Sequence, residues 1–391
     1  MKDLVRDKIT KINLLLADSE YKYHGFLGGS LGLLYYYYHA WQALHDEQLM
    51  SRAERLLGQV FDDMNHHHGG LSGPVFSSGG AGFGYTVNYL QQHGLIEFDV
   101  DEELTELDTY LFDAALAQIE ADASDLLHGA LGIIFYFACR RQTPRINRYL
   151  NVLVEKLLGR AEYVEGGVWF RNSIWEDKSR IDEINFSLSH GLSGILLVLI
   201  KAWPHLACQP QVEAVIRLGI AYMMRYEFPV DYANKEYSFF PCRFRKGDAE
   251  LIRNDRLAWC YGDLNEVLAC YRAGRLLGDA RYTAIANRIG LKTTERKSME
   301  STMNFDSHFC HGTAGLAQYY KALYAETFNY TYYNAYEHWI NATVALVDHE
   351  IADNRYSRNR GSLLEGWSGV GIVLADYLSD HKLPWAGAFL L

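Results

Sequence analysis

The hydrophobic pattern of the chain alternates between two kinds of helical segment. In the first kind, such as residues 1–20 and 46–62, apolar side chains recur at helical spacing along one face. The second kind is apolar on nearly every side, as in residues 132–140 and 315–324. Because a helix that is apolar all round must be covered all round, the pattern predicts buried helices surrounded by amphipathic ones.

A pair of glycines three residues apart marks each apolar segment and reveals a repeat. The first glycines of successive pairs are 50, 50, 62, 71, 50 and 54 residues apart, so the period holds two helices and their loops. One copy has asparagine in place of the second glycine. The pairs are Gly29/Gly32, Gly79/Gly82, Gly129/Gly132, Gly191/Gly194, Gly262/Asn265, Gly312/Gly315 and Gly366/Gly369.

This repeat predicts the fold. We expect an all-α protein in which seven inner and seven outer helices form a closed, double-layered α/α toroid, a single domain over residues 1–391. Glycine at the start of each inner helix allows close backbone approach, and the N–H groups there favour anions. Two long spacings mark insertions. We interpret the larger, residues 226–255, as a lid or substrate-binding segment, with an ordinary surface excursion as the alternative.

Composition narrows the range of partners. The net charge is −11, from 37 basic and 48 acidic residues, which argues against nucleic acid or an anionic membrane. It suits a basic peptide better, although an acidic surface more often serves solubility alone. The charged N-terminus does not resemble a signal peptide, and the longest apolar run, residues 133–139, is too short to span a bilayer. The six cysteines form no short-range framework. We therefore expect a cytoplasmic protein with reduced thiols.

Two neighbouring turns carry candidate metal ligands. Cys260 lies two residues before Gly262, and the pair Cys310-His311 precedes Gly312, so adjacent repeats would bring the three side chains together. Two thiolates and an imidazole leave one tetrahedral position open, as in a catalytic zinc site. Zinc suits this set best, although copper(I) and iron also accept soft ligands, and each cysteine alone is typical of a core residue. We interpret the run His66-His67-His68 as a solvated loop rather than a metal site.

Other turns carry titratable side chains. The candidates are His190, directly before a turn glycine, Asp125, four residues before one, and Arg256, one turn before Cys260 if that segment is helical. Groups of both signs beside a metal suit acid–base catalysis, whereas the alternative role is helix capping. We assign His128 and Glu365 to capping and leave both roles open for His190 and Asp125.

Four motifs of the chain resemble the signatures of the lanthionine synthetase C-like proteins, the lanthipeptide cyclases. The resemblance covers essentially the whole chain, in order. It departs at Leu264-Asn265, where the family usually has a Pro-Gly-like pair. The motifs are Ser189-His190-Gly191-Leu192-Ser193-Gly194, Trp259-Cys260-Tyr261-Gly262, Phe309-Cys310-His311-Gly312-Thr313-Ala314-Gly315 and Glu365-Gly366-Trp367-Ser368-Gly369.

The resemblance implies a seven-fold double α-toroid with Zn²⁺ on Cys260, Cys310 and His311. It also implies an acid–base histidine at His190, an aspartate at Asp125 and an arginine at Arg256. The implied function is that of a free-standing, zinc-dependent lanthipeptide cyclase. It would add cysteine thiolates of a dehydrated precursor peptide to dehydroalanine or dehydrobutyrine, which forms lanthionine and methyllanthionine rings. A separate dehydratase and an exporter are further candidate partners.

Two alternative functions stay open. A non-catalytic adaptor of the same fold would bind zinc and a thiol such as glutathione, and would keep the ligands without a peptide cleft. A helical-toroid glycosidase would need two carboxylates across a cleft, for which Asp125 and Glu365 are candidates. That second alternative leaves the Cys-Cys-His set without a role. Thiol binding without a product would favour the adaptor, and bound zinc would exclude the glycosidase.

Overall fold

Sixteen α-helices make up most of the described chain in this computed structural model, which describes residues 1–17, 19, 21, 23–66, 70–173, 182–245, 247–248 and 251–391. In chain order they are α1 (Lys2–Leu16), α2 (Ser30–Leu44), α3 (Glu47–Asn65), α4 (Gly80–Gln92), α5 (Val100–Glu103), α6 (Thr105–Glu120), α7 (Ala130–Cys139), α8 (Pro144–Leu158), α9 (Leu192–Ala202), α10 (Gln209–Met224), α11 (Leu264–Leu277), α12 (Ala280–Thr293), α13 (Met299–Thr302), α14 (Thr313–Thr327), α15 (Tyr330–Ala352) and α16 (Trp367–Leu378).

Buried and amphipathic helices alternate along the described chain, as the hydrophobic pattern predicts. The buried helices are α2, α4, α7, α9, α11, α14 and α16, and nine of the ten residues of α7 are buried, so no face of it meets solvent. The amphipathic helices are α1, α3, α6, α8, α10, α12 and α15. In α8, Thr143 caps the N-terminus and buried residues recur at three- and four-residue spacing. No helix of the described chain is long and apolar enough to cross a membrane.

The chain divides into two compact units. One comprises Met1–Gly73, Ser77–Gly79 and Asn304–Leu391, and the other Pro74–Phe76 and Gly80–Met303. In the first unit, α2 packs against α3 and α16, and α14 packs against α15 and α16. In the second unit, α11 packs against α9 and α12, and α7 packs against α4, α6, α8 and α9. In each unit, buried helices are therefore covered by amphipathic ones.

The second glycine of a pair is required by close backbone contact. A Cβ atom on Gly315 would overlap the carbonyl oxygen of Phe309, six residues earlier. Equivalent overlaps with the carbonyl six residues earlier would arise at four other copies. They are Gly32, Gly132, Gly194 and Gly369. The repeat therefore preserves a tight turn in which the start of an inner helix lies on the preceding loop.

Replacing Gly315 with alanine is expected to destabilise the protein by about 1–3 kcal/mol or more, because the added methyl group must displace backbone. Gly58 provides a matched control, since it lies within α3 and a Cβ atom there would meet no neighbouring atom within 4 Å. Gly58→Ala should stabilise the protein by about 0.5–1 kcal/mol through helix propensity. Urea unfolding measures both changes, and equal effects of the two substitutions would contradict the contact argument.

Two short antiparallel sheets also form, and the helical periodicity does not predict them. Strand β1 (Ala161–Val164) pairs with β2 (Gly167–Phe170), and β3 (Glu183–Asn185) pairs with β4 (Arg243–Arg245). Strand β4 lies in the inserted segment 226–255, so this segment is attached to the chain just before the turn that carries His190. Residues 246, 249 and 250 of the insertion lie outside the described residues. Its interpretation as a lid or substrate-binding segment stays a prediction.

Candidate metal centre and acid–base site

Three soft donors lie together in the structure. One sulfur each from Cys260 and Cys310 and a ring nitrogen of His311 all lie within 4.8 Å of one another. Cys260 is 5% exposed and Cys310 is 8% exposed, while His311 is half-buried. The three residues that the sequence singles out as ligands are therefore the ones that the structure brings together.

A backbone hydrogen bond and a buried aromatic ring hold the turn that carries Cys310 and His311. The Cys310 N–H donates to the carbonyl oxygen of Leu364 at 2.7 Å. Phe309, directly before Cys310, is fully buried, and its ring centroid lies 4.6 Å from that of Phe389. Helix α14 then begins at Thr313, immediately after Gly312. Both candidate ligands thus precede a helix N-terminus, where unsatisfied N–H groups carry partial positive charge.

Two neighbours of this turn are not evident from the sequence. His308 is buried, and its Nδ1 accepts a hydrogen bond from the backbone N–H of His311 at 3.3 Å. Buried Glu350, from α15, accepts hydrogen bonds from both the N–H and the hydroxyl of Ser307. Burial raises the pKa of Glu350, although these bonds from Ser307 oppose the effect. The loop before Cys310 is therefore held by groups that lie outside the motif itself.

The Cys260 turn departs from the other turns. Gly262 has a φ of +114°, in the region that favours glycine, and α11 begins at Leu264. The preceding residues do not form a helix, so Arg256 is not one helical turn from Cys260. Arg256 is half-buried, and its backbone N–H donates to Oδ1 of Asn254 at 3.2 Å.

His190 and Asp125 form a close pair. Nδ1 of His190 lies 2.7 Å from Oδ2 of Asp125, and Oδ1 of the same carboxylate accepts the backbone N–H groups of Leu127 and His128 at 2.8 Å. Burial favours the neutral acid, but the hydrogen bond and charge of His190 outweigh it, so the pKa of Asp125 lies below its ordinary value. Asp125 therefore both holds its own turn and orients His190.

Asn172 reinforces this pair and is not evident from the sequence. Its Nδ2 donates to the backbone carbonyl of His190 at 2.8 Å and lies 3.4 Å from Oδ2 of Asp125. The residue lies just after β2 and is 8% exposed. One buried amide thus contacts both members of the pair.

The capping roles expected for His128 and Glu365 are wrong. Within the described residues, no side chain caps α7 or α16, which both begin after glycine. The His128 ring instead stacks on that of His190, with centroids 6.0 Å apart and planes 12° apart. Burial lowers the pKa of His128 despite the nearby carboxylate of Asp125. His67 and His68 of the histidine run lie outside the described residues.

Comparison with known proteins shows the family of this chain. The sequence matches the family of lanthionine synthetase C-like proteins over residues 19–390. The chain belongs to this family. No curated protein matches the chain by sequence comparison.

The fold of this lanthionine synthetase C-like protein is shown by a solved structure. A nisin cyclase matches it with a TM-score of 0.78 at 16% sequence identity, and the match covers 100% of this chain and 98% of that chain. At this identity the likeness shows the fold alone. The predicted fold class, an all-α double-layered α/α toroid, is confirmed.

The donor set of this family member fits the zinc that the resemblance implies. Zn–S bonds of about 2.3 Å and Zn–N bonds of about 2.0 Å would place tetrahedral donor atoms roughly 3.5–3.8 Å apart. That spacing lies within the 4.8 Å limit that encloses the atoms of Cys260, Cys310 and His311. Three protein donors also leave one position for a substrate atom.

A buried carboxyl group links the Cys260 turn to the inserted segment. Oδ1 of Asp263 accepts the backbone N–H groups of Phe239 and Phe240 at 2.9 and 3.2 Å. Its other oxygen lies 3.6 Å from the buried guanidinium of Arg296. Burial raises the pKa of Asp263 to about 7, although Arg296 and the two N–H groups oppose this. The insertion is therefore anchored on the turn that follows Cys260.

Asp263 is expected to make stability depend on pH. The unfolded carboxyl titrates near its ordinary pKa of about 3.9, so the folded chain binds more protons between about pH 4 and pH 7. Raising the pH through this window should lower the free energy of unfolding, by up to about 4 kcal/mol. Asp263→Asn should weaken the dependence, and buried Glu266, whose pKa is also raised by burial, should account for part of what remains. Urea unfolding at about pH 5 and about pH 8 measures it, and parallel pH dependences for both proteins would contradict the assignment.

Proposed function

We propose that this protein is a zinc-dependent lanthipeptide cyclase, which adds peptide cysteine thiolates to dehydroalanine or dehydrobutyrine to close thioether rings. The observation that carries the proposal is the group of Cys260, Cys310 and His311, three donors with one coordination position left for a thiol. Membership of the lanthionine synthetase C-like family supports the reaction class. The match to a nisin cyclase supports a peptide substrate.

The reaction needs an activated sulfur. A cysteine thiol has a pKa of about 8.5 and is mostly protonated at neutral pH. Zn²⁺ held by these residues would keep the substrate sulfur in its thiolate form. A site with two thiolates and an imidazole is suited to this task because the two anionic ligands offset the metal charge, which keeps a third sulfur nucleophilic.

The protons balance within the substrate. A bond forms between sulfur and the β-carbon, the electron pair of the carbon–carbon double bond moves to the α-carbon side, and the α-carbon takes a proton. The thiol loses one proton and the α-carbon gains one, so the ring has the same mass as the open peptide. A cyclase must therefore accept one proton from the thiol and deliver one proton to the α-carbon.

His190 is proposed to transfer the proton. Its Nδ1 is engaged by the carboxylate of Asp125 at 2.7 Å, so exchange with the substrate would occur at Nε2. Asp125 fixes the orientation of the ring, and the lowered pKa of Asp125 keeps that carboxylate charged. This arrangement places an oriented imidazole in the turn just before α9.

Arg256 is proposed to stabilise the negative charge that develops as sulfur adds. The N-termini of the inner helices act in the same direction because their N–H groups favour anions. The inserted segment 226–255 is proposed to bind the peptide, since it is anchored through Asp263 beside the turn that carries Cys260. Its mixed charges and aromatic side chains suit a peptide chain.

Incubation with a dehydrated, cysteine-containing peptide tests the proposal. The purified protein should remove free thiols from the peptide, counted by alkylation, while the peptide mass stays unchanged. A mixture without protein measures the spontaneous reaction. Thiol binding with no loss of free thiol after denaturation would contradict the cyclase proposal and favour a thiol-binding adaptor.

A further inference from the structure

Asn265 occupies the place that glycine holds in the other copies of the repeat. At Gly194 and Gly315 a Cβ atom would overlap the carbonyl oxygen six residues earlier. The equivalent side chain of Asn265 is accommodated and is 0% exposed. This turn also differs in its backbone: Gly262 has a positive φ, and α11 begins two residues after it, whereas α9 and α14 begin directly after their turn glycines.

The amide of Asn265 joins two functional turns. Its Nδ2 donates to the carbonyl oxygen of Trp259 at 3.0 Å, the residue just before Cys260. Its Oδ1 accepts the backbone N–H of Leu188 at 2.8 Å, two residues before His190. A second bond runs in parallel, from the hydroxyl of Ser189 to the carbonyl of Cys260 at 3.2 Å. The Cys260 turn and the His190 turn are thus tied directly to each other.

The chemistry of this position suits an amide. Leu188 and Trp259 are buried, so each of the two hydrogen bonds to the Asn265 amide lies in a region with little access to water. Glycine would remove both hydrogen bonds. Aspartate would still accept from Leu188 but would place an anionic oxygen against the Trp259 carbonyl. Asparagine alone among residues of this shape offers one donor and one acceptor.

We propose that Asn265 is a positioning residue that sets the geometry of Cys260 and its spacing from His190. For His190, the inference rests on the proposed function. For Cys260, it rests only on the group of metal donors that Cys260 forms with Cys310 and His311. Loss of a hydrogen bond that orients a metal ligand usually lowers metal affinity or activity by about 10–100-fold.

The test uses Asn265→Asp, which keeps the shape, and Asn265→Gly, which restores the residue of the other turns. Asn287→Ala is the matched control. Tyr271, like Asn265, lies on α11, and its hydroxyl donates to Oδ1 of Asn287 on α12 at 2.8 Å. The change therefore removes a polar contact of α11 that lies away from the Cys260 turn. Each protein is loaded with Co²⁺, its thiolate-to-cobalt absorption is recorded, and its affinity is measured by chelator competition.

Both Asn265 variants should shift the cobalt absorption and weaken metal binding by about 10–100-fold, while Asn287→Ala matches the wild type. With a dehydrated peptide, kcat should fall about 10–100-fold with little change in KM. An unchanged spectrum and affinity in either folded variant would overturn the proposal. Equal changes in Asn287→Ala, or failure of both Asn265 variants to fold, would overturn it as well.

The cobalt measurement also separates this inference from the proposed function. A wild-type protein that binds cobalt through its thiolates but closes no rings would overturn the cyclase proposal. The spectra of the Asn265 variants would still decide whether this amide positions Cys260.

Discussion

Replacing Cys310 with alanine is expected to abolish both metal binding and catalysed ring formation. The change removes one of the two sulfur donors from the Cys260, Cys310 and His311 group. Two remaining protein ligands are fewer than any ordinary zinc site uses. Metal content by elemental analysis should fall from about one zinc per chain to less than about a tenth of that. Free thiols of a dehydrated peptide should then disappear at the rate of the peptide alone.

Cys270→Ala is the control for this experiment. Cys270 is also a buried cysteine, 1% exposed, on helix α11, and burial raises the pKa of its thiol. The same loss of a sulfur there should cost stability but leave the metal content unchanged. Full cyclisation by Cys310→Ala, or loss of metal from Cys270→Ala, would contradict the assignment of the ligands.

Replacing His190 with alanine is expected to slow ring formation by about 10²–10⁴-fold while zinc stays bound. His190 is paired with Asp125 and is not part of the donor group. The His190→Ala protein should therefore keep its zinc and lose turnover, whereas Cys310→Ala should lose both.

His205→Ala is the matched control for His190. His205 lies in a short 3₁₀ helix of the same unit, and its backbone carbonyl accepts the amides of Asn147 and Asn151. Alanine keeps that carbonyl, so zinc content and turnover should both match the wild type. Loss of zinc from His190→Ala would make His190 a structural residue instead of a proton-transfer residue.

The helices and the metal donors could be predicted from the sequence because their signals are local. Apolar side chains on nearly every face mark α7 and α14 as buried without knowledge of their neighbours. The glycine period places Cys260 and Cys310 in equivalent turns, and the structure brings their sulfurs together with His311. Because of the repeat, two cysteines that are 50 residues apart along the chain occupy equivalent turns, and their sulfurs lie close together.

The groups that support the site could not be predicted because they act across the fold. Asn172 contacts Asp125, 47 residues away, and Glu350 holds Ser307 from 43 residues away. Strands β3 and β4 are separated along the chain by the α-helices α9 and α10, so no local pattern indicates their pairing. The capping interpretation of His128 failed for the same reason, since its ring packs on His190 rather than on its own helix.

Asn265 replaces the second glycine of one repeat, and the structure gives this departure a role. As a sequence feature, it is a missing glycine in one turn. In the structure, its amide bonds the carbonyl that would exclude a Cβ atom in the other copies. Gly262, three residues earlier, has a positive φ that the other turn glycines lack, and that angle cannot be predicted from composition or spacing.

The most direct test of the cyclase account is ring closure in heavy water, followed by chiral analysis of the thioether residues. Catalysed protonation should add one deuterium at the α-carbon, about one mass unit per ring, and should give one configuration at that carbon. The peptide alone should give a mixture of configurations because no positioned group delivers the proton. A mixture in the presence of protein, formed at the rate of the peptide alone, would contradict the account.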